Sequence, residues 1–367
     1  MQTHLPKIEK RKRDRASKNL GIINFDEDNQ YPERTIDYIA SSGTATACTN
    51  LFGRFVRGQG FQDSMFYKSR VNRKGLRVDQ LLRLLVDDYK KHKGFCFHVN
   101  VTMLGNITEA THIPFDKIRM GDTKNAEYAG KFAWSECWSE RTQKDIIWYY
   151  GYNPSSEVIL KQVEESGSIE AYNGQIFYYS ESIGCYPLSS IDAVKEDVIA
   201  DSKIKNYRMN IASRGFMAEG FFETAPFKDD KSRNDFLDQI EEFQGGDNAG
   251  KIMVVENDNG QLPIKFTPAQ APNNDKTFTV TTDTCKNSII QQFNQPLALL
   301  TTIMPSNFGA PQISEAFKFY TAHTFDDRLI FEETFTDVFS KWYFNINTTG
   351  NYSIIPLKYE PDATNIA

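Results

Sequence analysis

The chain has 367 residues, of which 40% are hydrophobic, 25% charged and 13% aromatic, with a formal net charge of -6. That composition suits two or three globular domains with ring-rich cores, and the acidic balance excludes a protein that grips nucleic-acid phosphates over its whole surface. Cys48, Cys96, Cys137, Cys185 and Cys285 are odd in number, widely spaced and without a C-x-x-C, which argues against a disulfide framework or zinc site and for reduced thiols in a cytosolic setting.

Residues 1–25 read as a basic flexible arm. Lys10, Arg11, Lys12, Arg13 and Arg15 make a run without a hydrophobic face, either a solvated tail or an arm that touches DNA or an acidic neighbour. No apolar core follows the basic start, so it does not read as a signal peptide, and no segment reaches the length of a membrane span. Order is expected from Asp26. Ile36, Ile39, Ala47, Leu51 and Phe55 have helical spacing, interrupted at Ser41-Ser42-Gly43 and ended at Gly58-Gln59-Gly60. Residues 76–94 are the clearest amphipathic helix. Leu81, Leu82, Leu85 and Tyr89 share a face, Lys90–Lys93 suit the negative end, and Gly94 can cap it.

Residues 95–185 read as short antiparallel strands, with a hairpin at Leu104-Gly105-Asn106. A long helix is expected next, N-capped by Ser189 or Ser190 and reaching to about Phe222, roughly 50 Å if unbroken. Its apolar face shifts near Asp201–Lys203, which predicts a kink or two helices end to end. A compact insert follows, with a helix bearing Phe236, Ile240 and Phe243, and two strands, "KIMVV" and "LPIKF", joined through Asn257, Asp258, Asn259 and Gly260. Thr282–Asn294 is helical. The stretch from Asn287 through Ser314 carries no Lys, Arg, Asp or Glu, and after Pro296 it becomes an apolar loop. Residues 312–344 read as one long helix capped by Ser314, with Phe317, Tyr320, Phe331, Phe335 and Phe339 as its stripe. "GNYSIIPLKY" reads as a closing strand.

Chemistry-bearing patterns are few. "GGDNAGKI" nearly matches a phosphate-cradling loop, but the expected order of strand and helix is reversed and Ile252 replaces the magnesium-binding hydroxyl. His4, His92, His98, His112 and His323 include no metal-ligand spacing. His98 and His112 could meet across a hairpin, though two ligands make no site and ordinary strand residues is the simpler reading. Acid pairs Asp26/Asp28, Asp87/Asp88, Asp229/Asp230 and Asp326/Asp327 read as solvated acids. No catalytic residue, metal or cofactor is expected. A nuclease or nucleotide hydrolase is the weakest of the readings.

The order of parts resembles the tailed-bacteriophage portal protein family. The resemblance covers residues 26–345 and rests on segments "DNQYPERTIDYIASSGTATACTNLFGRFVRGQGF", "GFCFHVNVTMLGNITEATHIPFDKIRMG", "NGQIFYYSESIGCYPLSSIDAV", "GKIMVVENDNGQ" and "SIIQQFNQPLALL" followed by "ISEAFKFYTAHT". It implies an α+β portal fold: a mixed wing over 26–188, a stem helix over 189–223, a small α/β clip with a β-hairpin over 224–278, and a second stem helix over 279–296. A tunnel loop would occupy 297–313, and a long helix with a C-terminal wing strand 314–367, with the crown absent or reduced.

Leu300, Thr301, Thr302, Ile303, Met304, Pro305, Ser306, Asn307 and Phe308 would then face the DNA channel, or a neighbouring subunit. Phe236, Ile240, Phe243 and Asn257–Gly260 would meet the clip's partner. The resemblance further implies a dodecameric ring at a capsid vertex of the virion, assembled in the host cytoplasm. Its partners would be the major capsid protein, the terminase large subunit, neck or adaptor proteins and double-stranded DNA, with no membrane. Another virion structural part, such as a neck, adaptor or minor capsid protein, is the alternative.

Overall fold

The computed structural model describes residues 14–17, 19–139, 145–182, 184–214, 220–223, 230–231, 233–234, 265–268, 274–300 and 310–359. By backbone proximity the chain divides into two units, Met1–Val198 with Ser288–Ala367, and Ile199–Asn287. The fold class is mixed helix and sheet, as expected.

In the first unit, the short strands β1 (Arg15–Ala16) and β2 (Ile23–Asn24) pair antiparallel before α1 (Tyr31–Ser41) and α2 (Gly43–Arg57). The break at Ser42 is where the sequence placed it, because Ser42 takes extended backbone and its hydroxyl accepts from the Ala45 amide at 3.1 Å, capping α2. A one-turn α3 (Ser64–Lys68) leads to α4 (Val78–His92), whose Leu81, Leu82 and Leu85 are fully buried. Each such side chain contributes about 1.5–3 kcal/mol. Lys93, not Gly94, takes the left-handed turn that ends α4, at φ +57°. Gly94 serves another need: a Cβ there would lie 2.7 Å from the Phe115 ring.

One six-stranded sheet runs in the order β4-β3-β8-β7-β6-β5. Its strands are β3 (Gly94–Val101), β4 (Ile107–His112), β5 (Ile118–Met120), β6 (Lys131–Trp134), β7 (Ile147–Gly151) and β8 (Gln175–Ser180). The expected hairpin joins β3 to β4. Gly105, at φ +86°, packs so tightly that a Cβ would meet the Pro154 carbonyl.

The sheet departs from the all-antiparallel expectation at β7 and β8, which are parallel and joined through helix α5 (Ser156–Glu165). Parallel neighbours need such a crossover, and α5 buries Ile159 and Gln162 on its inner side. Alternation along β3 buries both faces. Phe95, Phe97 and Val99 join the core with α2 and α4, while Cys96 joins a second core with Phe25, Tyr31, Phe115 and Tyr186. Phe95 stacks on its cross-strand partner Tyr179, and Phe97 on Phe177, both at 5.1 Å.

Order begins before Asp26. Ile22 and Phe25 are fully buried, and Arg119, fully buried, ties this segment to the sheet. Its guanidinium donates to the Asn29 side chain at 2.6 Å, the Asn29 carbonyl at 2.8 Å and the Asp116 carbonyl at 2.7 Å. The basic arm is therefore shorter than expected, and Arg15 lies in β1, where it pairs with Asn24. Lys10, Arg11, Lys12 and Arg13 lie outside the described residues.

Helix α6 (Lys195–Arg214) starts after a 3-10 turn, later than expected, and its backbone is helical straight through Asp201–Lys203. Ser189 is not its cap. Its hydroxyl donates to the Lys91 carbonyl at 2.5 Å and accepts from Ile191. In the second unit, residues 220–223 are not the helix end but strand β9 (Gly220–Glu223), antiparallel to β10 (Lys265–Pro268). Phe236, Ile240, Phe243, Asn257, Asp258, Asn259, Gly260 and the "GGDNAGKI" decoy lie outside the described residues. Helix α7 (Asn274–Gln292) starts eight residues earlier than expected.

The last helical stretch is two helices, α8 (Ala310–His323) and α9 (Phe325–Phe339), and Ser314 lies inside α8 rather than at its cap. Of the expected stripe, Tyr320, Phe331, Phe335 and Phe339 are buried. The closing segment is extended, but a single bridge, Ile354 to Phe61, replaces a strand. Among the described residues no helix is long and apolar enough to cross a membrane.

Candidate functional site

The uncharged stretch from Asn287 has a defined root in the first unit. Helix α7 stops because Asn294 adopts φ +48°, a conformation in which Asn is among the least strained of the non-glycine residues. The Asn294 amide donates to the Gln291 carbonyl at 2.9 Å and the Gln295 amide to the Ile290 carbonyl at 3.2 Å. These two bonds make a Schellman cap, and Pro296 then forbids continuation. Ile289 and Phe293 hold the end of α7 in the core, with Phe293 6.3 Å from the Phe52 ring.

Gln295 is buried, and its amide nitrogen donates to the Cys48 carbonyl at 2.7 Å and the Tyr320 hydroxyl at 2.8 Å. One neutral side chain thus joins the end of α7 to α2 and α8. Burial raises the Tyr320 hydroxyl above its usual range and pushes the Cys48 thiol up to about 12, so neither ionises near neutrality. Beyond Pro296 a 3-10 turn, Leu297–Leu299, presents Leu297 to solvent and packs on α8, and Leu300 rests partly buried against the core. Of the expected loop residues, Leu300 is the one the structure describes. Thr301, Thr302, Ile303, Met304, Pro305, Ser306, Asn307 and Phe308 lie outside the described residues.

The return path is as firmly fixed. The break between α8 and α9 falls at Thr324, whose hydroxyl donates to the Tyr320 carbonyl at 3.0 Å. Arg328 is buried with no carboxylate paired to it among the described residues. It donates to the Thr324 hydroxyl at 2.8 Å, the Thr321 carbonyl at 2.6 Å and the Phe55 carbonyl at 3.3 Å. The cation meets the negative end of α8, and burial lowers its pKa from the usual guanidinium value.

Beside this root lies an open cleft of about 390 Å³ lined by Phe52, Tyr89, Lys93, Phe293, Asn294 and Asp327, among others. Lys93 pairs with Asp327 at 3.0 Å and Glu181 at 3.1 Å, and its ammonium sits 4.7 Å from the Tyr89 ring centre. Tyr89 donates to Asp327 at 2.7 Å. Asp327 is therefore no solvated acid, and neither is buried Asp88, which meets His112 at 2.8 Å and accepts from the Phe115 amide. Burial raises the Asp88 carboxyl above the usual range.

His98 and His112 do not meet. His98 pairs with Thr111 and His112 with Phe97, so the two rings point to opposite faces, and His98 contacts the Asn173 carbonyl at 2.7 Å. Among the described residues no three His, Cys, Asp or Glu gather at metal-binding distance. The arrangement anchors an uncharged segment by a neutral amide at one end and a buried cation at the other. Sequence reasoning missed Gln295 and Arg328, since a buried amide and a buried cation leave no periodic signal. The Asn-Gln-Pro run did carry the helix stop.

No family model and no curated relative matches the sequence. Solved structures do match. A chain in the neck of an empty gene transfer agent particle, computed with C6 symmetry, aligns over 93% of this chain and 86% of its own, with 13% identity and a TM-score of 0.50. A chain of the virion of a native gene transfer agent particle aligns over 90% and 84%, with 13% identity and a TM-score of 0.48. An HK97 family phage portal protein from Corynebacterium diphtheriae aligns over 78% and 85%, with 11% identity and a TM-score of 0.41. The first of these likenesses extends over nearly the whole chain, so the chain shares its fold with a component of a particle neck.

Proposed function

We propose that this chain is a phage-type portal subunit, a ring former at a capsid vertex whose channel passes double-stranded DNA during packaging and ejection. The observation that carries the reading is the uncharged stretch from Asn287 to Ser314, mounted on the neutral Gln295 anchor in a chain with the fold of a particle-neck component. A conduit must let DNA slide. Each cation that neutralises a phosphate adds salt-dependent grip, so a loop without cations gives steric contact without adhesion.

In this reading residues 26–188 with the C-terminal segment form the wing, 189–214 and 274–296 the stem, and the insert between them, which holds the β9–β10 pair, the clip, whose Phe236, Ile240, Phe243 and Asn257–Gly260 meet the partner. Residues 297–313 are the tunnel loop, with Leu300 to Phe308 nearest DNA. The ring, taken as dodecameric, binds the major capsid protein, then the terminase large subunit, then neck or adaptor proteins. The C6 symmetry of the matching neck supports a multi-copy assembly. A second reading, another neck or adaptor part of the virion, is favoured by the same match, since the matching chain lies in a neck.

Mass measurement and images of the purified full-length protein test the reading. A closed ring is expected, and a persistent monomer at high concentration refutes it. Labelled chain at the vertex inside the capsid shell supports a portal, and label only below the shell supports the second reading. Ile303→Lys adds phosphate attraction at the constriction. It is expected to cut packaged DNA about tenfold or more while leaving ring assembly intact, and normal packaging would place the loop away from DNA.

A further inference from the structure

A second polar feature of the first unit has no part in the loop's mount. Helices α2 and α4 enclose a cleft of about 450 Å³ lined by Asn50, Gly53, Arg54, Arg57, Arg83 and Lys90. Its floor exists because Gly53 lacks a side chain: a Cβ there would lie 2.9 Å from the Lys90 stem. Lys90 is neutralised by Asp87 at 2.5 Å and held by Asn50 at 2.9 Å. Arg54 and Arg83 are exposed and Arg57 half-exposed, and none of the three has an ion-pair partner among the described residues. The cleft thus carries three unneutralised guanidinium forks, a geometry suited to carboxylates.

The complementary surface is on the same chain. The outer face of α9 presents Asp326, Leu329, Glu333 and Asp337 at helical spacing, and a depression of about 370 Å³ lies beside Leu329 and Glu333. Asp326 and Glu333 have no ion-pair partner among the described residues, and Leu329 is 37% exposed. The cleft offers the half-buried Leu84 as an apolar counterpart to it.

These two surfaces cannot meet within one molecule. On α2, the cleft residues Asn50 and Arg57 lie about 140° and 160° around the axis from Phe55 and Arg54 about 100°, while the Phe55 carbonyl accepts from Arg328 of α9. On α9, Asp326 and Glu333 lie about half a turn from the buried Arg328, Phe331 and Phe335. α9 therefore sits against the back of α2, with its acids turned outward and the basic cleft on α2's far side.

We infer that the α2–α4 cleft is the seat for the acidic outer face of α9 from a second copy of this chain. Two different patches on opposite sides make a head-to-tail contact, the kind that closes into a ring. The inference rests on the ring reading above and adds to it the contact that joins neighbours. Carboxylates of one copy enter the guanidinium forks of the next, with Leu329 against Leu84.

Charge reversal tests it in the full-length protein. Arg54→Glu with Arg83→Glu makes an acidic cleft, and Glu333→Lys with Asp337→Lys makes a basic face. All four positions are exposed, so both variants are expected to melt as the wild type does. Each alone is expected to raise the concentration for half-assembly at least about tenfold, read by light scattering. Mixed together they are expected to assemble again, because each cleft then meets a face of opposite sign. Should a reversed variant misfold, Arg54→Gln with Arg83→Gln replaces it, with the loss expected to shrink in high salt.

Rings of either reversed variant at wild-type concentration overturn the pairing. So does a mixture that stays apart when both variants melt normally. A reversed cleft that still assembles but loses double-stranded DNA binding assigns the cleft to phosphate and also overturns it. A wild-type chain that stays monomeric refutes the ring reading itself, whereas wild-type rings with indifferent variants refute only the pairing.

Discussion

Two α-helices end in the first unit on a non-glycine residue in the left-handed region, and they stop in different chemical surroundings. α4 ends at Lys93 among charges: Lys90 and Lys91 on Asp87, and Lys93 on Asp327 and Glu181. α7 ends at Asn294 among neutral groups, with a backbone Schellman cap and the Gln295 amide on the Cys48 carbonyl and the Tyr320 hydroxyl. The two ends line the same cleft. Cations at a helix C-terminus gain from the dipole but answer to salt and pH, and a neutral amide anchor does not. The uncharged segment starts from the second kind of end, so its footing keeps its geometry as ionic conditions change.

Four measurements would sharpen or break that contrast. The largest effect is expected at Arg328, whose fork serves both sides of the mount. Arg328→Leu strands the Phe55 carbonyl and takes a donor from the Thr321 carbonyl and the Thr324 hydroxyl, and should lower urea stability by about 3 kcal/mol. A loss below about 1 kcal/mol would mean that the α8–α9 break does not depend on it.

His92 comes next, in the last turn of α4. Burial pushes its imidazole down to about 3, against about 6.5 in an unfolded chain, and it stacks on Phe115 at 5.5 Å. Below pH 6.5 the unfolded chain takes up a proton that the folded chain refuses, so stability falls with pH until about pH 3. Relative to His92→Phe, the wild type should lose about 2 kcal/mol between pH 7 and pH 5. Asp88 acts in the opposite direction, since a carboxyl raised by burial favours the folded state as pH falls. It is common to both proteins and cancels in the difference. Parallel pH profiles would refute the assignment.

Gln295→Leu removes two donated hydrogen bonds and should cost about 1–2 kcal/mol, equally at 0.05 and 1 M salt, with faster amide exchange over residues 290–300. Lys93→Met should cost under about 1 kcal/mol at low salt, and that cost should shrink at 1 M salt. Equal salt responses in these two variants would erase the distinction between a charged and a neutral helix end.

Much of the frame was readable from local pattern. The α1–α2 break at Ser42, the leucine face of α4 and the Gly105 hairpin each follow from spacing or turn chemistry that acts within a few residues. The helix stop near Asn294 was equally legible, because Asn before Gln-Pro favours a left-handed exit and Pro296 bars the next turn. The parallel β7–β8 pair was not, since a strand's side-chain alternation is the same whichever way its neighbour runs. The mistaken single helix over 312–344 has a similar cause. Its aromatic spacing is nearly continuous, and the break at Thr324 is set by the tertiary contact through Arg328.

The sequence by itself determined the helix break at Ser42, the leucine face of α4 and the hairpin at Gly105, and it determined the charge-free stretch between Asn287 and Ser314. Those properties depend on residue type and on neighbours one to four positions away. Only the tertiary structure decided that Gln295 reaches Cys48 and Tyr320, that Arg328 is solvated by carbonyls of α2 and α8, and that the basic cleft and the acidic face of α9 lie on opposite sides of α2. Gln295 and Cys48 are 247 residues apart and Arg328 and Phe55 273 apart, separations at which no local preference acts. Burial supplies the specificity there, because a polar group removed from water must find its partner wherever the fold places one.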